Sequence, residues 1–317
     1  MSKNSQVSHS ASTAARNDAA PSGPSAGPEP LARPGLWRPV YAVVERDLVK
    51  LWRQKGRLLS ALVRPLIWLF VIGAGFEATV GGGEGSYRSF LVPGVMGMAI
   101  LFGALLGALS TVYEKESGVM RMLVIAPFAH RWIVFAKMQA AAISAVFQAL
   151  LLLVILAVLG DLPLHTDWAL LALGIFATAY ACAGIGMLVA AFSRTLDNFA
   201  AIMNFVIFPV FFLSGSLYPV GNLPGLLGVA AHLNPYTYGV DLLKHALPHI
   251  SGHSSDFAWT LDLAVLAGFT LLAFAVSAWR FSREQAYAPL FGLGGAKGGK
   301  PGGGKPGGPA AGKKPAV

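Results

Sequence analysis

Apolar residues fall along this chain in long blocks with little alternation. Six runs, at 58–76, 90–112, 132–159, 168–192, 199–217 and 257–279, are each long enough as helices to cross about 30 Å of hydrocarbon. The runs at 90–112, 168–192 and 199–217 hold no charged residue. The first is interrupted by Arg64-Pro65, the third carries Lys137 near its start, and the last carries Asp262 close to one end. Backbone groups in lipid must be satisfied within the segment, and these runs are too long and too weakly alternating for barrel strands. The pattern predicts an all-α integral membrane protein with six transmembrane helices.

Three segments lie between the spans. Residues 37–57 repeat Tyr41, Val44, Leu48 and Leu51 at helical spacing, while Arg46, Lys50, Arg53 and Arg57 line another face. This predicts an amphipathic N-terminal interface helix with its apolar side toward lipid. Residues 113–131 mix Glu114, Glu116 and Arg121 with Met120, Met122, Leu123, Val124 and Ile125. Apolar side chains rimmed by charge suit a partner-docking surface and equally a helix lying on lipid. Residues 218–256 hold prolines at 219, 224, 235 and 248 between apolar stretches, which predicts short re-entrant helices before the last span.

Composition sharpens the class. Apolar residues make up 55% of the 317 and charged residues 12%, about half the usual share of a water-facing protein. A soluble single-core enzyme is excluded. Residues 1–36 and 281–317, rich in small residues, Pro and Gly and with Lys in the second, read as disordered tails; the span-bearing domain is 58–280. The net charge of +9 is unevenly placed: of the 24 basic residues, all but Arg88 and Lys244 fall on one side of the six-span topology. By the positive-inside rule both termini are cytoplasmic. Nucleic acid is not the expected partner, because the apolar middle has no use in that reading; membrane lipid is.

Candidate chemistry is sparse. Residues 294–300 imitate a phosphate loop, but Pro301 stands where a hydroxyl must hold magnesium. No nucleotide site, cofactor or metal is therefore expected in this chain, and no enzymatic activity. His245, His249 and His253 recur four apart near Asp241, yet Pro248 and Gly252 interrupt a shared helix, so they read as interfacial along with His232. Asp262 and Glu77 lie near the outer ends of their spans, where they can reach water, and Arg64 and Lys137 near the inner face, where they can snorkel. Gly103 and Gly107 form a GxxxG, a spacing that permits close helix approach. Cys182 stands alone.

Four stretches carry a family resemblance: Arg64-Pro65-Leu66-Ile67-Trp68; Phe90-Leu91-Val92-Pro93-Gly94; Tyr113 to Gly118 onward through Ala126-Pro127 to Lys137; and Phe212 to Pro219, followed by Asn234-Pro235 and Tyr238. In order and spacing they resemble the ABC-type-2 transporter permeases, in the branch of lipo-oligosaccharide (nodulation-type) and drug-resistance exporters. The resemblance implies a permease subunit in the inner (plasma) membrane of a bacterium, paired with a second permease chain as homodimer or heterodimer. Two cytoplasmic ABC ATPase subunits would supply ATP and magnesium. It further implies an ATPase-coupling segment bearing Glu114, Glu116, Gly118, Arg121, Met122 and Pro127, and interface-helix contacts at Arg46, Lys50 and Arg53. Ser214, Gly215, Tyr218, Pro219, Asn234 and Pro235 would belong to an exit-side re-entrant region. Spans so poor in charge suit a lipid-like, glycan or drug-like cargo. An ion-coupled secondary transporter working through Asp262 or Glu77 is the alternative, and a membrane-embedded enzyme a more distant one.

Overall fold

The computed structural model describes residues 37–75, 87–120, 130–162, 165–247 and 255–286. Arg121, Met122, Pro127, Glu77, His249, His253 and the whole N-terminal tail lie outside the described residues, as does the C-terminal tail beyond 286. Nine helices make up the described chain: α1 (Trp37–Arg53), α2 (Lys55–Gly75), α3 (Tyr87–Glu116), α4 (His130–Leu159), α5 (Trp168–Phe192), α6 (Leu196–Phe212), α7 (Gly225–Leu233), α8 (Pro235–Ala246) and α9 (Trp259–Ala286). No strand occurs among the described residues. Two boundaries differ from the sequence reading. The amphipathic segment breaks at Gln54, and the last helix continues through Ala286, past the expected limit at 280.

Five helices are long and apolar enough to cross a bilayer: α2, α3, α4, α5 and α9. The run expected at 199–217 forms α6, a shorter helix of 17 residues. It starts early because the Thr195 hydroxyl accepts from the Asn198 N–H at 3.2 Å. It stops early because residues 213–218 fold into turns, with Gly215 at φ +72°. Within α2, the turn Trp68–Ile72 is π-helical and follows Pro65, whose missing N–H already interrupts the regular ladder.

The bundle centres on α5, which packs against α3, α4, α8 and α9. Its N-terminus is fixed by Asp167, whose carboxylate accepts from the N–H groups of Ala169 and Leu170 at 3.0 Å each. The α3–α4 pair depends on small residues: a Cβ on Gly103 would come within 2.8 Å of the Ala145 Cα, and one on Gly107 would collide with Ala141. The GxxxG is thus a real packing face. Many large side chains on the outside of the spans are apolar, with Val158 81% and Leu271 69% exposed. That pattern fits a hydrocarbon surround, where an outward Phe or Val loses nothing.

Candidate functional site

At the end of the bundle where α1 lies, five charged side chains converge. Lys137 on α4 places its ammonium 2.6 Å from Glu114 Oε2 and 2.7 Å from Asp47 Oδ2. The other oxygen of Glu114 faces Arg46 and Lys50, each at 2.6 Å, and Arg46 also reaches Asp47 Oδ1 at 3.3 Å. Glu114 and Lys137 are both 1% exposed, so the low dielectric strengthens their attraction and makes every partner necessary. The cluster joins α1 to α3 and α4, and Val40 and Val43 reinforce the joint by packing on Ala136, Trp132 and Phe135.

This geometry corrects one expectation and refines another. Lys137 does not snorkel to water; its ammonium is enclosed between two carboxylates. The expected apolar stripe of α1 is only partly outward, with Val44, Leu48 and Leu51 half-buried. Val40, Val43 and Asp47 face the bundle, while Tyr41 of the expected apolar stripe is exposed. Arg46 and Lys50 fold inward over Glu114, and only Arg53 and Arg57 remain exposed from the basic stripe.

The neighbouring site residues have distinct places. Glu116 reaches across to α6, its Oε2 accepting from the Leu196 N–H at 2.8 Å. Gly118 turns the chain at φ +76° with open space around it. Glu114 therefore lies inside the structure, and Arg121, Met122 and Pro127 are outside the described residues.

From this end a series of cavities follows α2, α3 and α6. The first, of about 530 Å³, is lined by Asp47, Lys50, Arg57, Tyr113 and Asp197 among others. The next, about 350 Å³, shares Arg57, Leu106 and Leu109 with the first. It shares Arg64, Phe102 and Ile207 with a third, about 330 Å³, that adds Trp68, Asn204 and Phe212. Arg64 holds its guanidinium 4.3 Å from the centre of the Phe102 ring. The series combines cationic side chains with aromatic walls.

At the other end, the remaining sequence-derived residues close α6 and start α8. Ser214 donates to the Phe211 carbonyl at 2.6 Å, and the Tyr218 hydroxyl donates to the Phe212 carbonyl at 2.6 Å. Pro219 precedes a short 3-10 turn. Asn234 caps α8 by accepting from the Tyr236 N–H, and its amide donates to the Val210 carbonyl at 2.7 Å; Pro235 takes the first helical position. The turn packs tightly on α3, where a Cβ on Gly94 would meet the Ser216 carbonyl at 2.5 Å.

Beside this turn is a polar group of which spacing picked out Asp241 and His245, reading them as interfacial, but not Asp262. Asp241 accepts from the N–H groups of Asp256 and Phe257, and Asp262 is fully buried instead of reaching water. Burial pushes the Asp241 carboxyl up from its ordinary value, against the opposing effects of those two N–H groups and Lys244. His232 is exposed and His245 half-buried against Phe257.

Long apolar helices with apolar outer surfaces and an internal charge joint define an integral membrane protein of the helical-bundle class. The sequence model of the ABC-2 type transporter family matches residues 38–247, and the chain belongs to that family as one of its permeases. Nodulation protein J of Rhizobium leguminosarum bv. trifolii is 31% identical over 235 residues, 72% of this chain and 87% of that protein. The putative transport permease ycf38 of Cyanophora paradoxa is 24% identical over 217 residues, 67% and 75% of the two chains. The inner membrane transport permease YadH of Escherichia coli K12 is 23% identical over 242 residues, 76% and 91%.

Proposed function

We propose that this chain is the membrane-spanning half of an ATP-driven exporter whose motor is a pair of separate ABC ATPase subunits. The observation that carries the reading is the Glu114–Lys137–Asp47 cluster with Arg46 and Lys50. It fastens α1 to α3 and α4, so that force applied at the α1 end moves spans as a unit instead of bending a surface helix. In this reading the ATPases dock on the cytoplasmic side, against α1 and the connection that follows Glu116. A second permease chain completes the conduit.

The proposed topology is six crossings with both termini cytoplasmic in an inner membrane. The α6 helix and the turn after it would form the fifth crossing, and α7 and α8 a re-entrant pair on the outer side. The charge distribution along the sequence supports that orientation. The cargo class proposed is amphipathic: lipid-like, glycan-bearing or drug-like. Its support is the cavity series, which offers Arg57 and Arg64 to polar groups and Trp68, Phe102 and Phe212 to apolar ones.

The test uses inside-out vesicles from cells expressing the chain together with an ABC ATPase subunit of the same organism. Uptake of a fluorescent glycolipid should require ATP and should fall at least about tenfold in Glu114→Gln, with the protein still inserted. A 1.4 kcal/mol loss in the coupled step suffices for that change. Uptake that persists without ATP in vesicles energised by a proton gradient would overturn the reading in favour of an ion-coupled carrier.

A further inference from the structure

We propose that Asp241, His245 and Asp262 form a binding site for a divalent transition-metal ion, with zinc favoured by the ligand set. The site joins α8 to the start of α9. One ligand atom from each of the three residues lies within 4.8 Å of the others. His245 Nε2 is 3.7 Å from Asp262 Oδ2 and 3.9 Å from Asp241 Oδ2.

Those separations are the first part of the argument. Both exceed a hydrogen bond, which ends near 3.2 Å for N–H···O. They are close to the spacing of two ligands on one ion, since tetrahedral zinc with bonds of about 2.0 Å sets its ligand atoms roughly 3.3 Å apart. His245 needs a contraction of roughly half an ångström to reach each carboxylate, and the Asp241 and Asp262 oxygens, within 4.8 Å of each other, must close on the ion as well. In this structure His245 Nε2 donates to the Phe257 carbonyl at 2.8 Å. Binding an ion requires the imidazole to give up that bond and carry its proton on Nδ1, which leaves the Nε2 lone pair for the metal and frees the carbonyl oxygen to serve as a fourth ligand.

The second part is independent. Asp262 is 0% exposed, and neither of its carboxyl oxygens has a hydrogen-bond partner among the described residues. Ionised, it lacks a donor; protonated, it lacks an acceptor within hydrogen-bond reach. A buried polar group left in that state is costly in either form. A cation bound to Oδ2 satisfies it.

Charge agrees with this. Three carboxylates face the site, from Asp241, Asp256 and Asp262. Lys244 compensates for one, held 3.0 Å from Asp256 Oδ2 and 3.9 Å from Asp241 Oδ1. The Tyr238 hydroxyl is turned away, donating to the His232 carbonyl. His245, 20% exposed at its side chain, gives the ion a way in. Once bound, the ion would pin the buried helix α8 to the last span, a link that the transport reading does not require.

The experiment uses the full chain without a polyhistidine tag, purified in detergent, freed of metal and then equilibrated with zinc or manganese. Zinc content per chain and the thermal unfolding midpoint are measured for wild type, Asp262→Asn, His245→Gln and the off-site control Glu45→Gln, an exposed residue of α1. The expected result is one zinc per wild-type chain, held more tightly than manganese, with a raised midpoint. The control should behave as wild type, while both site variants bind about tenfold more weakly or worse and lose the midpoint shift. Monodisperse elution of His245→Gln guards against loss of fold in Asp262→Asn. Wild type that binds zinc no better than the two site variants would overturn the proposal. So would a metal-free Asp262→Asn that matches the midpoint of a wild type taking up no zinc, since the buried acid would then be protonated and nothing more.

Discussion

Lys137 and Glu114 meet at 2.6 Å with their side chains each 1% exposed, one from α4 and the other from α3. Around them the charges are unequal: Arg46, Lys50 and Lys137 face Glu114 and Asp47. Removing one member therefore does not have the same effect as removing another. Lys137→Met leaves two cations with two carboxylates, whereas Glu114→Gln leaves three cations around Asp47 alone. Glu114→Gln should destabilise the fold by about 3–5 kcal/mol and Lys137→Met by clearly less. The double variant should recover part of the Glu114→Gln loss, with a coupling of roughly 0.5–3 kcal/mol. Unfolding in mixed micelles gives the ranking; equal losses for the two single variants would contradict this account of the cluster.

Glu116 has a local task that differs from its neighbour's. Its carboxylate takes the first N–H of α6, at Leu196. Glu116→Ala should free that amide and loosen the first turn by about 0.5–2 kcal/mol. Hydrogen exchange should rise at 196–198 while α3 stays protected. Unchanged exchange there would mean that the contact carries no weight.

The α3–α4 seam predicts a sharp contrast between glycines. Gly103→Val must push against the backbone of Ala145 and should cost about 1–3 kcal/mol. Gly268→Ala on α9 has nothing within 4 Å of the new methyl and should be neutral or stabilising by up to about 1 kcal/mol. Thermal unfolding of the two purified variants checks the difference.

Gly215 is the remaining test of the turn after α6. At φ +72°, with a would-be Cβ 2.7 Å from Val220 Cγ2 and 3.2 Å from the Lys244 ammonium, it has no room for a side chain. Gly215→Ala should cost about 1–3 kcal/mol and displace Lys244 from Asp256. A proteolysis assay at 213–223 should show faster cleavage in the variant than in wild type.

Much of the architecture was legible along the chain because hydrocarbon imposes a one-dimensional rule. A segment without water must close its own backbone bonds, so an uncharged run of sufficient length is a helix whatever it packs against. That is why α3, α4, α5 and α9 fall where the apolar runs place them. The same rule could not fix the end of α6. Phe212 through Leu217 is uncharged like a span, but Gly215 and the paired Ser214 and Ser216 hydroxyls, 2.6 Å apart, fold it into a turn. Absence of charge alone does not distinguish the two.

The charged sites were less legible. Lys137, in an apolar run, was visible as an ionisable group in an unfavourable setting, whereas Asp47 was not singled out, because the expected apolar stripe of its helix ran through Tyr41, Val44, Leu48 and Leu51. The sequence supplied no reason to join residues 90 positions apart. Read singly, Lys137 is a side chain reaching for water, and Asp262 another. In both cases the usual escape is closed by neighbours from other helices.

The sequence by itself determined that this is a helical membrane protein and that the chain resembles the ABC-2 permeases, because hydropathy and local motifs are properties of contiguous residues. Only the tertiary structure decided that Glu114 lies inside a joint between α1, α3 and α4, that α1 turns its buried face to the bundle, and that Asp241, His245 and Asp262 gather. Each of these depends on which helix faces packed against one another. In a low-dielectric interior, that packing determines whether a charge is solvated, paired or left for an ion.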